Sequence, residues 1–108
     1  MNKYNFEGQV AVITGGAQGF GYAISKKIIN SGGKVIIWDI DKKAIDIAKK
    51  DINSENFDHQ IVDVTNFNEI EKSISNLEKK FKKIDIFVNN AGITGINAKV
   101  WDYPLEEW

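Results

Sequence analysis

A run of closely spaced glycines is the first group of residues in this sequence with the chemistry to bind a ligand. Residues 14–21 read Thr-Gly-Gly-Ala-Gln-Gly-Phe-Gly and follow a short apolar run, 10–13, that predicts a buried strand. Because glycine has no Cβ, Gly15, Gly19 and Gly21 let the backbone turn tightly and bring its N–H groups against a ligand. A helix starting here would add unpaired N–H groups and a positive dipole end. The run therefore predicts a phosphate-binding loop.

The spacing of the glycines narrows the class of loop. Three residues separate Gly15 from Gly19, whereas the commoner dinucleotide fingerprint G-x-G-x-x-G has one residue between its first two glycines. A Walker A loop is excluded, because it would end in Gly-Lys-Ser/Thr and Gly21 is followed by Tyr22 and Ala23.

Short polar residues also stand at the ends of three further predicted strands. Asp39 ends the second strand, where a carboxylate accepts hydrogen bonds from ribose hydroxyls and repels a 2′-phosphate; the alternative is that Asp39 only caps the next helix. Asp63 and Val64 follow the third strand, and residues 89–92, Asn-Asn-Ala-Gly, follow the fourth. In a parallel sheet these ends share one edge, so the residues predict a nucleotide site there.

The elements that must position these residues alternate between strands and helices. Strands are predicted at 10–13, 34–39, 59–62 and 84–88, with helices at 20–31, 41–52 and after Asn66. Asn66 is predicted to cap the last helix, with Glu69 as the reciprocal member of a capping box. The alternation predicts an α/β fold, a Rossmann-like doubly wound parallel sheet of strand order 3-2-1-4 that is truncated before its remaining strands.

Size and composition limit the function classes further. The chain has 108 residues, which predicts a single, partial domain over residues 1–108. Its 14 basic and 15 acidic residues are interspersed, so neither nucleic acid nor membrane is expected as a partner. The absence of cysteine excludes thiolate metal sites and a cysteine nucleophile, and no metal site is expected. With no apolar run long enough for a membrane span or an export signal, a cytoplasmic location is predicted.

Taken together, these motifs resemble the short-chain dehydrogenase/reductase family. The loop at 14–21 matches that family's T-G-x-x-x-G-x-G pattern, and residues 89–92 match its N-N-A-G motif. Further similarities occur at Phe6-x-Gly8, at Asp63-Val64 and at residues 105–108, so the resemblance covers the whole chain. Phe20 departs from the family, which usually has isoleucine there.

The resemblance implies an NAD-dependent oxidoreductase that transfers hydride between nicotinamide and an alcohol or carbonyl substrate, such as a sugar alcohol, a secondary alcohol or a 3-oxoacyl thioester. It also implies a homo-oligomer in the full-length form. Asn89 is expected to brace neighbouring strands. The residues expected to bind the cofactor NAD are Gly15, Gln18, Gly19, Phe20, Gly21, Asp39, Ile40, Asp63, Val64, Asn90, Ala91 and Gly92.

The catalytic residues of the family are not expected in this chain. Its catalytic Ser and Tyr-x-x-x-Lys pair lie downstream of the matched segment, and residues 104–108 read as a first helical turn. The 108-residue chain is therefore predicted to be inactive by itself. Tyr22 and Lys26 do spell Tyr-x-x-x-Lys, but they follow the phosphate loop directly and are interpreted as non-catalytic, and His59 is interpreted as structural.

Two alternative functions and one physical property complete the expectations. A S-adenosylmethionine-dependent methyltransferase also uses a glycine loop and an acidic residue after the second strand, although Thr14-Gly15 and residues 89–92 argue against it. A non-catalytic nucleotide-binding module, or a truncated remnant, is the other alternative. If the family's next strand is missing, the strand at 84–88 is expected to be an unpaired, self-associating sheet edge.

Overall fold

The structure is a computed structural model that describes residues 5–90 in full and the backbone of residues 99–101. Strands and helices alternate as the apolar periodicity predicts, up to the last two strands. The elements are β1 (Val10–Thr14), α1 (Gly19–Asn30), β2 (Lys34–Asp39), α2 (Lys42–Ile52), β3 (Phe57–Ile61), α3 (Phe67–Lys80), β4 (Ile86–Asn89) and β5 (Lys99–Trp101).

The described strands form one sheet of order β3-β2-β1-β4-β5. The first four are parallel, with Val12 opposite Ile36 on one side and Phe87 on the other. This confirms the predicted Rossmann-like order 3-2-1-4. The order reverses between β1 and β4, so the carboxyl ends of these two strands open a crevice in which such folds bind ligands.

Two apolar layers cover the sheet. All five residues of β1 are buried, which explains why its sequence is a continuous apolar run rather than an alternating one. Ile13 and Ile37 face α1 and α2 within one cluster, and Val12 and Trp38 face α3 within the other. The helices thus hold the strand ends in a fixed relation to one another.

The expectation of an unpaired edge at residues 84–88 was wrong. β4 begins at Ile86, and β5 pairs with it in the antiparallel direction, with Val88 opposite Val100. A parallel neighbour needs a crossover connection of about a dozen residues or more, usually a helix, whereas an antiparallel neighbour can return after a short connection. The chain's own residues 99–101 therefore occupy the edge of β4.

The predicted capping box at α3 is half right. The Asn66 side chain accepts a hydrogen bond from the Glu69 N–H at 3.2 Å, as predicted. The Glu69 carboxylate, however, accepts from the Asp63 N–H at 3.0 Å and not from Asn66, whose N–H donates to the Asp63 carbonyl. The helix is capped, but its first acidic residue contacts the end of β3.

Neither a membrane-spanning helix nor a metal-binding cluster occurs in the part of the chain that the structure describes. No helix within residues 5–90 and 99–101 is long and apolar enough to cross a membrane. The same residues contain no group of three or more His, Cys, Asp or Glu side chains placed to hold a metal ion.

Candidate nucleotide-binding site

A cavity of about 390 Å³ lies at the carboxyl ends of β1, β2, β3 and β4. It brings together most of the residues that the sequence nominated from four separate loops. Seven nominated residues line it: Gly15, Gln18, Asp39, Ile40, Asp63, Val64 and Asn90. A larger depression, of about 760 Å³, is lined by α3 residues alone, so it has the form of an open helix surface without converging groups from several elements.

The remaining nominated residues fall into two groups. Gly19, Phe20 and Gly21 do not line the cavity but form the first turn of α1 beside it, and the Phe20 side chain is 62% exposed. Ala91 and Gly92 lie outside the described residues.

The glycine loop enters α1 in a conformation that suits an anion. Gln18, the N-cap residue, makes no side-chain capping hydrogen bond, and no acidic residue stands in the first turn. The Gln18 side chain thus accepts no hydrogen bond from the N–H groups at the start of α1. The helix dipole at this end favours negative charge. Gly19 has a φ of 58°, which disfavours residues with a Cβ.

Gly21 is required by close packing rather than by its dihedral angles. A Cβ at this position would lie 2.5 Å from the Gly15 carbonyl oxygen and 2.7 Å from the Asn90 Nδ2 atom. The start of α1 therefore packs directly against the loop and against the end of β4, with no space for a side chain.

A buried threonine joins the ends of β1 and β4. The Thr14 hydroxyl is within donating distance of the Val88 carbonyl (3.4 Å) and the Asn89 Oδ1 atom (3.2 Å), and it accepts from the Asn90 N–H at 2.8 Å. Asn90 in turn donates from Nδ2 to the Gly15 carbonyl at 3.4 Å. These contacts give Asn89 a bracing position, and they show a positioning role for Thr14 that its place in a strand did not reveal.

The Asp39 carboxylate spans two segments of backbone. One oxygen, Oδ2, accepts from the Ala17 N–H at 3.3 Å, and the other, Oδ1, accepts from the Asp41 N–H at 3.1 Å. The capping alternative for Asp39 is excluded, because the cap of α2 is Asp41, which accepts from the Ala44 N–H. Asp39 thus holds the glycine loop while each of its oxygens keeps a lone pair for a further donor.

Asp63 is held by its own loop and by α3. Its Oδ1 atom accepts from the Thr65 hydroxyl at 2.6 Å and from the Thr65 N–H at 2.9 Å, while its own N–H donates to Glu69. The two hydrogen bonds from Thr65, that of the hydroxyl first, lower the pKa of the Asp63 carboxyl. Asp63 is therefore ionised at neutral pH and acts as an acceptor only.

Trp38 forms a wall of the cavity that the sequence did not nominate. The side chain is 1% exposed, its ring meets Phe87 edge to face at 5.6 Å, and Nε1 donates to the Gln60 side chain at 2.7 Å. An indole buried with its N–H bonded is rigid. Its position at the carboxyl end of β2, directly before Asp39, was the available signal, since ligands in such folds bind at the carboxyl ends of the strands.

The Tyr22-x-x-x-Lys26 pair lies between α1 and α2 and not in the cavity. The Tyr22 hydroxyl donates to Asp51 on α2, and the Lys26 ammonium lies 3.7 Å from the same carboxylate. Burial raises the pKa of Tyr22 to about 12, assisted by the hydrogen bond to Asp51 and by its negative charge. A general acid or base requires a pKa near the working pH. A pKa of about 12 is far above that, so Tyr22 is unsuited to such a role. His59 lies on β3, also outside the cavity.

The sheet order and the crevice at its switch point define a Rossmann-like α/β protein. A family model described as "short chain dehydrogenase" matches residues 9–108. The chain belongs to the short-chain dehydrogenase/reductase family, which confirms the resemblance seen in its motifs.

Three similar proteins illustrate the range of this family. The chain is 30% identical over 104 residues to 2-dehydro-3-deoxy-L-rhamnonate dehydrogenase (NAD(+)) of Sphingomonas sp., covering 95% of this chain and 41% of that protein. It is 36% identical over 114 aligned positions to a probable NADP-dependent mannitol dehydrogenase of Yarrowia lipolytica, covering 100% and 40%. The crystal structure of 3-ketoacyl-(acyl-carrier-protein) reductase from Brucella melitensis complexed with NADH matches with a TM-score of 0.74 and 35% identity, over 82% of this chain and 36% of that one.

Because these relatives are dehydrogenases and reductases, they favour the hydride-transfer interpretation over the methyltransferase and over a non-catalytic nucleotide-binding module. These relatives include proteins named for NAD and for NADP, so family membership alone does not decide between the two nicotinamide cofactors. The chain spans about two fifths of the length of the two curated relatives.

Proposed function

We propose that this chain is the NAD(H)-binding part of an oxidoreductase that transfers hydride between nicotinamide and an alcohol or carbonyl substrate. The observation that carries the proposal is the Asp39 carboxylate, which lies in the strand-end cavity with one backbone N–H bonded to each oxygen. The nicotinamide ring supplies the hydride chemistry when the coenzyme is bound. The chain's own residues bind the coenzyme and orient it.

Each loop at the cavity has a part in this proposal. The N–H groups from Gly15 to Gly21 hold the pyrophosphate, and Asp39 accepts hydrogen bonds from the adenosine ribose. Ile40, Asp63 and Val64 flank the adenine ring. Asn90, whose backbone N–H is held by Thr14, faces the nicotinamide ribose. Ala91 and Gly92 lie outside the described residues, and their place in the coenzyme site stays a prediction from the sequence motif.

Charge supports NAD(H) over NADP(H). Asp39 is the acidic residue at the end of β2, where the 2′-substituent of the adenosine ribose would lie, and neither Ala17 nor Gln18 supplies a cation. A 2′-phosphate about 4 Å from a carboxylate costs about 1 to 4 kcal/mol at effective dielectric constants of about 80 to 20. This corresponds to about tenfold or more in affinity over most of that range.

Titration of the purified protein with NADH and NADPH tests the cofactor assignment. NADH is expected to bind about tenfold or more tightly than NADPH, and Asp39→Ala is expected to narrow the difference. Asp46→Ala is the matched control, because it removes an exposed carboxylate from α2, away from the cavity. Equal or tighter NADPH binding by the unaltered protein would contradict the assignment.

We also propose that the 108 residues bind coenzyme without turning over an alcohol or ketone. Support comes from the tyrosine–lysine pair, which is engaged with Asp51 on a different side of α1 from the cavity. A cytoplasmic location and a homo-oligomeric full-length form stay predictions from the sequence. NADH oxidation by this chain with any carbonyl compound, abolished by Tyr22→Phe, would contradict the proposal.

A further inference from the structure

The contact between α3 and the end of β3 has no part in the function described so far. Glu69 stands in the first turn of α3, where the sequence pattern predicts that it caps its own helix. Its Oε1 atom instead accepts a hydrogen bond from the Asp63 N–H at 3.0 Å. A helix side chain thus fixes the backbone of a residue that lines the nucleotide cavity.

The remaining polar groups of Asp63 are almost fully engaged. Its carbonyl accepts from the Asn66 N–H at 2.9 Å, and its Oδ1 atom accepts twice from Thr65. With the N–H bonded to Glu69, the Oδ2 atom is the one polar atom of Asp63 without a hydrogen bond to another described residue. The contacts leave a single acceptor on a residue that lines the cavity.

The geometry points to Glu69 as a positioning residue for the adenine end of the coenzyme site: by holding the Asp63 backbone, it aims the free Asp63 oxygen at the 6-amino group of adenine. This inference rests on the proposed function, in which Asp63 flanks the adenine. An ionised carboxylate accepts from an amino group and is repelled by a carbonyl oxygen at the same place. The contact therefore contributes to selection of adenine over hypoxanthine.

Two reduced dinucleotides separate this role from a general effect on folding. NADH carries the 6-amino group, and nicotinamide hypoxanthine dinucleotide, in its reduced form, carries a carbonyl oxygen there. A substitution that only destabilises the fold weakens the binding of both dinucleotides equally and leaves the ratio of their dissociation constants unchanged. The ratio, measured by fluorescence titration, is therefore the readout.

Four variants distinguish the effect of the Glu69 acceptor oxygen from the effect of its charge. Glu69→Ala removes the acceptor, Glu69→Asp keeps the charge but withdraws the oxygen by one methylene, and Glu69→Gln keeps an acceptor oxygen without the charge. Glu71→Ala is the matched control, since Glu71 is an exposed carboxylate two residues further along α3 and outside the cavity.

The unaltered protein is expected to bind NADH about tenfold more tightly than the hypoxanthine analogue, the equivalent of one charge-assisted hydrogen bond. The ratio is expected to fall to about threefold or less in Glu69→Ala and Glu69→Asp, and to stay near tenfold in Glu69→Gln and Glu71→Ala. Circular dichroism identifies any variant that does not fold. If Glu69→Ala is unfolded, Glu69→Asp and Glu69→Gln decide.

Four results would overturn the inference, and together they distinguish the role of Glu69, the role of Asp63 and the proposed function. A ratio unchanged in Glu69→Ala and Glu69→Asp overturns the role of Glu69 alone, as does a ratio lost in Glu69→Gln, which would assign the effect to charge. Equal binding of both dinucleotides by the unaltered protein overturns the role of Asp63 and with it that of Glu69. No binding of NADH at all overturns the proposed function itself.

Discussion

The two halves of the candidate site, the glycine loop and the ends of β2 and β3, present different chemical groups to a ligand. The glycine loop presents backbone groups and has no space for a side chain at Gly21. The β2 and β3 ends present carboxylates, and each carboxylate is held by N–H or hydroxyl donors. The first half therefore depends on space and dihedral angles, and the second on particular side-chain oxygens.

This difference predicts opposite sensitivities to substitution. Adding one methyl group is expected to damage the loop, whereas removing a functional group is expected to damage the carboxylate side. Thr14 combines the two kinds, because it is a side chain whose hydrogen bonds hold the backbone at the end of β4. The predictions below test these sensitivities in order of decreasing effect.

Gly21→Ala is expected to have the largest effect. Its Cβ would lie 2.5 Å from the Gly15 carbonyl oxygen, and the clash could be relieved only by moving the backbone. We therefore expect a loss of about 1 to 3 kcal/mol in the free energy of unfolding, together with loss of NADH binding. Thermal unfolding and NADH titration measure both effects. Gly19→Ala is the companion variant, because a Cβ there meets nothing within 4 Å and only the φ of 58° is strained. An equal loss in both variants would show that dihedral strain at Gly19 disturbs the loop as much as close packing does at Gly21, contrary to the expected order.

Thr14→Val is expected to have an intermediate effect. It replaces the buried hydroxyl with a methyl group of similar size and leaves the Asn90 N–H without its acceptor, which costs about 1 to 3 kcal/mol of stability. Thr14→Ser keeps the hydroxyl and is expected to bind NADH more like the unaltered protein. Urea unfolding and NADH titration make the comparison. Full NADH affinity in Thr14→Val would show that the tie between β1 and β4 does not position the site.

Tyr22→Phe is expected to have the smallest effect on binding, because Tyr22 belongs to neither half of the site. NADH affinity should change by no more than about 0.5 kcal/mol. The informative measurement is stability against pH. The pKa of Tyr22 in the folded protein, about 12, is above the usual tyrosine value of 10.0. The contribution of its hydroxyl to stability is therefore fully present below about pH 10 and is lost as pH rises towards 12.

The difference in unfolding free energy between Tyr22→Phe and the unaltered protein should accordingly shrink between pH 10 and pH 12. The difference itself isolates this hydroxyl, since lysine deprotonation affects both proteins in common. A difference that stays constant over that interval would contradict a stabilising contact between Tyr22 on α1 and Asp51 on α2. A large loss of NADH affinity would instead bring Tyr22 into the site.

Much of the fold was predictable because it depends on neighbours in the sequence. The β2 range, 34–39, was predicted to the residue, and the Asn66 cap was recognised from its position before an apolar helical stripe. The β5 strand was not predicted, since its pairing joins Lys99 to Asn89 by sheet register and not by a local pattern.

The candidate site shows the same division between local pattern and distant contact. Asp39 could be nominated because it directly follows a buried strand, but its bond to the Ala17 N–H spans 22 residues of sequence. The partner of Glu69 was predicted wrongly for a related reason. The capping pattern predicts the N–H of Asn66, the N-cap residue of the same helix, as the donor to Glu69. In the folded chain the N–H of Asp63 donates instead, at 3.0 Å.

The sequence by itself determined the alternation of strands and helices, the class of the glycine loop and the strand ends at which a nucleotide site would form. These follow from periodicity and from the absence of a Cβ, which act over a few residues. Only the tertiary structure decided that Thr14 joins two strand ends, that Tyr22 is engaged by Asp51 and that Glu69 holds Asp63. A hydrogen bond requires its donor and acceptor within about 3 Å, and that separation depends on how sheet register and helix packing place segments that are distant in sequence.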